Sequence, residues 1–437
     1  MQKFIVKPGG KIRGTIRVPG DKSISHRVVM LGALAKGITK INGCLEAEDT
    51  LATMAAFKAM GVPIEKNAQD QIIIRGVGLY GLQPPTEPLY IGNSGTTMRL
   101  LAGLMAGQEF SVEIGGDESL LRRPMTRVTK PLTEMGARIL VSETGTPPLI
   151  ILGKQRLHGI DYDMPIASAQ VKSCLLLAGI YANGKTCVIE PAPTRDHTER
   201  LLLGFGYLVK KEGNKICLKG GGQLYGKSID IPADISSAAF FIVATCIAKN
   251  SEILLEHVGI NPTRTGVIKI LQRMGANIEL YNQREINGEP IADIRVRSSN
   301  LHGVNILKDE VPLAIDEFPI LFIAAACAEG KTVLTGAKEL RVKESDRIQV
   351  MADGLQRLGI DAESQPDGII IQGGKIRNGI INSHGDHRVA MSFAVAALRA
   401  SGTITIEDCA NVATSFPNFI SLAQHVGIDV KVKNNLY

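Results

Sequence analysis

The sequence predicts an α/β (α+β) protein of two domains, each made of three βαβαββ units with buried helices and sheets outside. Three observations predict it. First, a helix–Gly–strand signature recurs as "FKAMGVPIE", "LTEMGARIL", "LLGFGYLVK", "LQRMGANIE", "LQRLGIDAE" and "AQHVGIDVK". Its glycines (Gly61, Gly136, Gly206, Gly275, Gly359 and Gly427) stand 68–84 residues apart. Glycine belongs there because the residue that ends a helix often takes the left-handed conformation. Second, every signature follows an apolar segment: "VVMLGALA", "MRLLAGLMAG", "VKSCLLLAGIYA", "SSAAFFIVATCIA", "FPILFIAAACA" and "VAMSFAVAAL". A helix apolar on every face has no solvent side and must be buried. Third, 437 residues exceed what one core organises. Six buried helices divide most simply into two cores of three, with the seam near "DIPADISS".

The elements of each unit follow in order. A strand precedes each apolar helix, as in "GKIRGTIRV" and "GKSIDIPA". A short strand comes after it: "TKINGC", "FSVEIG", "KTCVIE", "SEILLE", "KTVLTG" or "GTITIE". An amphipathic helix is next, with apolar residues at steps of three and four, such as Ile348, Met351, Leu355 and Leu358. The signature glycine ends it, and two strands complete the unit.

Composition narrows the function. With 44% apolar and 21% charged residues, the chain has the make-up of a soluble globular protein. A net charge of +6 without a basic block suits small anionic substrates better than nucleic acid. Aromatics are 4% and Trp is absent, which leaves a base-stacking surface poorly supplied. The start "MQKFIVKPGG" has no secretory apolar stretch, and "ISSAAFFIVATCIA" is too short to cross a bilayer. A cytoplasmic protein with no membrane partner is expected. Seven cysteines (44, 174, 187, 217, 246, 327 and 409) are scattered and never form CxxC, so reduced core thiols are expected.

The polar motifs cluster at helix starts: "GDKSISHR", "GNSGTTMR", "LLRRPMTR", "ASAQVKS", "TRDHTER", "AIDEFP", "RVKESDR" and "GDHRVAM". A helix N-terminus offers free N–H groups and the positive end of the dipole, and so attracts phosphate or carboxylate. Added Lys or Arg makes such contacts charge-assisted. Singly, each motif has a plainer reading. Ser23, Ser168 and Asp316 fit ordinary caps, Lys343 to Arg347 fits a solvated charged face, and Gly92 and Gly95 fit turns. The segment His384-Gly385-Asp386-His387 admits a metal, but no second ligand cluster accompanies it, and capping is the better reading. Eight motifs in repeated positions point instead to a shared anion site. "GDKS" lacks the GxxxxGK[ST] spacing of a phosphate loop, and no GxGxxG, HExxH, GxSxG or EF-hand pattern occurs. No metal or cofactor is expected.

These motifs, in this order and over essentially the whole chain, resemble the 5-enolpyruvylshikimate-3-phosphate synthase family. "PGDKSISHR", "GNSGTTMRLL", "RRPM", "ASAQVKS", "RVKESDR" and "GDHRVAM" carry the resemblance. It implies the two-domain enolpyruvyl transferase fold, with residues 1–19 and 235–437 in one domain, 20–234 in the other, and the active site in the cleft between them. It implies transfer of the enolpyruvyl group of phosphoenolpyruvate to the 5-hydroxyl of shikimate 3-phosphate. The route is addition then elimination, with release of phosphate and no covalent enzyme intermediate. By the same resemblance, Ser23, Arg27, Ser168 and Lys343 hold shikimate 3-phosphate. Lys22 reaches between the substrates, and Gln170 lies near both. Asn93 and Gly95 line the phosphoenolpyruvate site, and Arg123, Arg347 and Arg388 clamp its phosphate and carboxylate, as a guanidinium fork suits. Asp316 takes the hydroxyl proton, and Glu344 exchanges the methyl-group proton. Whether Lys22 or Glu344 delivers the proton to carbon stays open.

The sequence departs from the best-known branch of that family. Ala169 replaces a serine and Thr414 replaces a lysine, while "GDKS", "SAQVK", "RDHTE" and "NPTR" resemble the second branch (class II). Arg195 is then expected on the shikimate phosphate, and Gly95 implies at least partial inhibition by glyphosate. A monomer is expected. Two rival readings fit the sequence less well. UDP-N-acetylglucosamine enolpyruvyl transferases carry a cysteine five residues before an Arg-Pro pair; here Arg123-Pro124 puts Glu118 there. A non-catalytic binder of phosphometabolites or nucleic acid gains nothing from carboxylates such as Asp316 and Glu344 in its site.

Overall fold

A computed structural model describes residues 2–434. The chain divides into two compact units: the residues up to Pro19 with Pro232–Glu285 and those from Pro290 on, and Gly20–Ile231 with Ile286–Glu289. The second unit holds α1 (Lys22–Leu34), α2 (Glu48–Ala59), α3 (Gly95–Ala106), α4 (Thr126–Glu134), α5 (Ala169–Gly179) and α6 (His197–Gly204). The first holds α7 (Ile235–Ile247), α8 (Gly266–Arg273), α9 (Phe318–Ala326), α10 (Arg347–Arg357), α11 (His387–Ala396) and α12 (Phe419–Val426).

Odd-numbered helices are the apolar ones, and each unit buries three. Every residue of α7 and of α9 is buried. With α11 they form one core, and α1, α3 and α5 form the other. The signature glycines end the even-numbered helices at φ of 80–113°, as the left-handed turn requires. Helices α3 and α5 approach at backbone distance. A Cβ on Gly103 would lie 2.2 Å from the Cys174 carbonyl oxygen.

Among the described residues the strands form six sheets, five of four strands and one of three. They depart from the repeat in one respect. The strand before the first apolar helix, Arg13–Ile16, pairs in parallel with Glu252–Gly259, in the sheet of the fourth repeat. The strand before the fourth apolar helix, Ser228–Asp230, pairs in parallel with Lys36–Asn42, in the sheet of the first. The two leading strands are thus exchanged. Gln2–Val6 also lies antiparallel between Ile404–Glu407 and Val430–Asn434, completing the sixth sheet. Before α9 the described residues show only two isolated bridges, His302 to Glu329 and Asn305 to Val333. Local periodicity reports that a strand exists, but not which sheet it joins.

The cysteines correct one expectation. Cys187 and Cys217 face each other on antiparallel strands and are joined by a disulfide. The other five are free. Burial pushes the thiols of Cys44, Cys246, Cys327 and Cys409 up to about 12, so none is a ready nucleophile at neutral pH.

Two measurements check this description. Gly103→Ala overpacks the α3–α5 crossing and should lower stability by about 1–3 kcal/mol in urea unfolding; an unchanged midpoint would contradict the close approach. Thiol titration of the denatured chain should count five groups before reduction and seven after it.

Candidate active site

The polar motifs at the helix starts assemble into two sets, one in each unit. In the second unit, Asp21 caps α1 by accepting from Ile24 N–H, not Ser23. That frees Lys22 and Ser23 on the first turn, both half-buried. The Lys22 ammonium meets Asp49 Oδ2 at 2.7 Å, and Ser23 Oγ accepts from Arg195 at 3.4 Å. Arg27, one turn on, is buried and spends its donors on protein. Nε gives to Thr198 Oγ1 at 2.7 Å, Nη1 to the Ser23 carbonyl at 2.9 Å and Nη2 to Ser173 Oγ at 2.8 Å. It therefore ties the α1 start to α5 and α6 and sets a fixed positive charge beneath Ser23.

Helix α5 starts at Ala169, capped by Ser168, whose Oγ accepts from Val171 N–H at 3.3 Å. One residue further, Gln170 accepts from Arg99 at 2.7 Å and donates to Thr96 Oγ1 at 3.1 Å. Below it, Lys172 is fully buried between Glu190 and Glu199 at 2.8 and 2.7 Å. Burial raises Glu199 above the usual carboxylate range although Lys172 opposes it.

Gly95 opens α3, capped by Ser94. A Cβ at Gly95 would stand 3.0 Å from Nη1 of both Arg99 and Arg123. Glycine keeps the space between two guanidinium groups open, the geometry of an anion site. Arg123 also donates to Asn93 Oδ1, and Asn93 donates to Asp117 at 2.8 Å. Beneath this turn a buried chain runs from His26 Nδ1 to Thr53 Oγ1 at 2.8 Å, on to Thr97 at 2.7 Å and Ser94 at 2.6 Å. Burial, with Lys22 and Arg27 nearby, lowers His26 well below its ordinary value and keeps the ring neutral. The chain joins the starts of α1 and α3.

In the first unit the centre is Arg347, the first residue of α10, with no exposed surface. Its Nε donates to Asp386 at 2.8 Å and its Nη2 to Glu344 at 2.6 Å; its Nη1 lies 3.5 Å from Asp316. Asp316 is also 3.5 Å from Lys343. Asp386 caps α11 by accepting from Arg388 N–H at 2.9 Å, the capping expected of "GDHRVAM". Arg388 itself is half-buried at that N-terminus. Burial opposes the charge on Arg347, but Asp386, Glu344 and Asp316 outweigh it and raise its pKa. Burial likewise opposes ionisation of Asp386, yet Arg347 beside it brings the carboxyl below its ordinary 3.8. Among the described residues no group of three or more His, Cys, Asp or Glu side chains is placed to hold a metal.

Asp49 and Arg99 act in these sets and carry no role in the sequence reading, and Asp386 carries there only that of a cap. Arg99 had a signal: it lies four residues after Gly95, on the same helix face. Asp49 had none, because an acid in a first turn is ordinary. Thr414 is buried and donates to the Asn411 carbonyl at 2.7 Å, so it supplies no charge.

Asp386→Asn should lower stability at neutral pH by about 3–5 kcal/mol, because it removes a buried partner of Arg347. The carboxyl's contribution is full above its ordinary 3.8 and is lost as pH falls through its lower folded value. Urea unfolding from roughly pH 7 to pH 3 should therefore show the gap to the parent protein closing on acidification. A gap independent of pH would refute the pairing.

Comparison with known proteins identifies the family. The family model described as EPSP synthase (3-phosphoshikimate 1-carboxyvinyltransferase) matches residues 6–422. The 3-phosphoshikimate 1-carboxyvinyltransferase of Methylococcus capsulatus is 65% identical over 429 residues, 98% of each chain. That of Nitrosococcus oceani is 65% identical over 428 residues, 98% of this chain and 96% of its own. An EPSP synthase structure from Acinetobacter baumannii superposes with a TM-score of 0.89 at 57% identity, covering 99% of this chain and 100% of that one. The enolpyruvyl transferase NikO from Streptomyces tendae, at 15% identity and a TM-score of 0.80 over 100% and 99% of the two chains, shares the fold. The chain belongs to the EPSP synthase family, and its activity is that of a 3-phosphoshikimate 1-carboxyvinyltransferase.

Proposed function

We propose that the two sets of residues divide the reaction between phosphoenolpyruvate and shikimate 3-phosphate as follows. Ser23, Ser168, Arg195 and Lys343 hold shikimate 3-phosphate, with Arg27 beneath Ser23, Ala169 leaving room at the α5 start and Gln170 beside it. Asn93, Gly95, Arg123, Arg347 and Arg388 hold phosphoenolpyruvate. Asp316 accepts the proton of the 5-hydroxyl as its oxygen bonds to C2 of phosphoenolpyruvate. C3 gains a proton from Glu344 or Lys22, giving a tetrahedral intermediate. Loss of a C3 proton to Glu344 and of phosphate from C2 then restores the double bond in the product. Every proton has an acceptor among these side chains, and no covalent enzyme intermediate is required.

The observation that carries this reading is the shared guanidinium. Asp316 and Glu344, the two carboxylates given proton work, face Nη1 and Nη2 of one buried Arg347. One rigid cation thus keeps both at fixed positions. A pure anion binder has no use for them. Glu118, where a UDP-N-acetylglucosamine enolpyruvyl transferase carries cysteine, is exposed and paired with Arg122 at 3.2 Å. The reading extends to a cytoplasmic monomer of the second-branch (class II) type that glyphosate inhibits, with no nucleic-acid or membrane partner.

Phosphate release from phosphoenolpyruvate should require shikimate 3-phosphate and vanish in Asp316→Ala. Release without the second substrate, or undiminished in that variant, would overturn the assignment. Gly95→Ala puts a methyl group between Arg99 and Arg123. It should raise the KM for phosphoenolpyruvate and the glyphosate inhibition constant, each by roughly tenfold, about 1.4 kcal/mol.

A further inference from the structure

The segment "NPTR", Asn261–Arg264, stands apart from both sets of residues, yet both its ends are buried. Asn261 and Arg264 are 2% and 3% exposed. Asn261 Oδ1 accepts from Thr263 N–H at 2.9 Å and from its hydroxyl at 2.7 Å, and the Asn261 carbonyl accepts from Arg264 N–H at 2.8 Å. This tight turn sends the Arg264 side chain inward. Its Nη2 donates to Ser236 Oγ at 2.6 Å and to Asp234 Oδ1 at 3.2 Å, and lies 3.9 Å from Glu317 Oε1. The Ser236 hydroxyl in turn donates to Glu317 Oε1. Arg264, Ser236 and Glu317 form a directed chain, from the guanidinium to the hydroxyl and from the hydroxyl to the carboxylate.

Glu317 is the residue after Asp316. Its N–H donates to the Ala314 carbonyl at 2.9 Å and its own carbonyl accepts from Leu321 N–H at 3.0 Å, so its backbone is part of the α9 start. The same turn touches this segment a second time. Gly266 N–H donates to the Leu313 carbonyl at 3.2 Å, and a Cβ on Gly266 would stand 2.7 Å from the Leu313 carbonyl carbon. Residues 313–317 are thus held from the "NPTR" turn by both backbone and side chain. Asp316 lies 3.5 Å from both Lys343 and Arg347, and a shift of its backbone changes both distances.

We infer that Arg264, acting through Ser236 and Glu317, is a positioning residue for Asp316. The inference rests on the reading of Asp316 as the proton acceptor. Displacing a catalytic group by about 1 Å costs roughly 100-fold in rate, so a slackened chain acts on turnover more than on substrate affinity.

The test compares Ser236→Ala, Arg264→Met, Arg264→Lys and Asp316→Ala in the full chain, by kcat, KM for shikimate 3-phosphate and thermal midpoint. Ser236→Ala cuts the chain without leaving a buried charge alone. It should lower kcat roughly 10–100-fold with KM within about threefold of the parent protein and a folded thermal transition. Arg264→Lys keeps the charge and should recover part of what Arg264→Met loses; if the Met variant fails to fold, Ser236→Ala decides. A folded Ser236→Ala with kcat within about twofold of the parent, or with kcat lost only in step with the folded fraction, overturns the inference. If Asp316→Ala is inactive while the chain variants keep full turnover, only the positioning role falls. If Asp316→Ala turns over normally, the proton-acceptor reading falls and the positioning role with it.

Discussion

The burial of one guanidinium organises the first unit. An arginine without exposed surface, as Arg347 is, is costly unless carboxylates compensate its charge. Asp386 does so through two oxygens and at the same time caps α11. Glu344 does so from the turn before α10. The starts of two helices, the 343–347 turn and the 313–317 segment therefore converge on one planar cation. The requirement that stabilises this group also fixes the positions of Asp316 and Glu344. If Asp316 and Glu344 do the proton work proposed for them, stability and the geometry of that transfer have a common cause.

The second unit solves the converse problem. In the proposed reading it presents positive charge to anionic substrates, and the cations at its helix starts meet hydroxyls, an amide and a single acid. Arg27 hangs on two hydroxyls and a carbonyl, and Arg99 on the Gln170 amide. Such neutral partners orient a guanidinium without cancelling its charge. Gly95 then supplies the missing volume between Arg99 and Arg123. Where full neutralisation occurs, at Lys172 between Glu190 and Glu199, the group is wholly buried and serves packing.

Much of this was legible in the residues. Six glycines at a regular interval announced the helix ends, and six apolar segments announced the two cores. The helix-start motifs marked the two clusters of polar side chains, one in each unit. What was hidden depends on register and on distant pairing. Nothing local in Arg13–Ile16 states that its partner is Glu252–Gly259. Nothing in two cysteines 30 residues apart states that their strands align them face to face, so reduced thiols were the natural expectation. Asp386 looked like a cap and is one, but its second task needs Arg347, which is 39 residues away.

The strand exchange also constrains how the protein is born. Residues 20–231 need no later segment except the tip at 286–289, so the second unit can assemble as it leaves the ribosome. The first unit cannot. Gln2–Val6 leaves the ribosome long before its neighbours Ile404–Glu407 and Val430–Asn434 are made. At about 5–20 residues per second, that strand waits roughly 20–80 s for its partners. During this interval it is an unpaired β-edge of the kind that recruits wrong partners. Lys3 within the strand and Lys7 just after it carry charge through the wait and afterwards pair with Glu407 and Asp429. The charges that pair in the finished sheet thus also discourage wrong edge pairing before it forms.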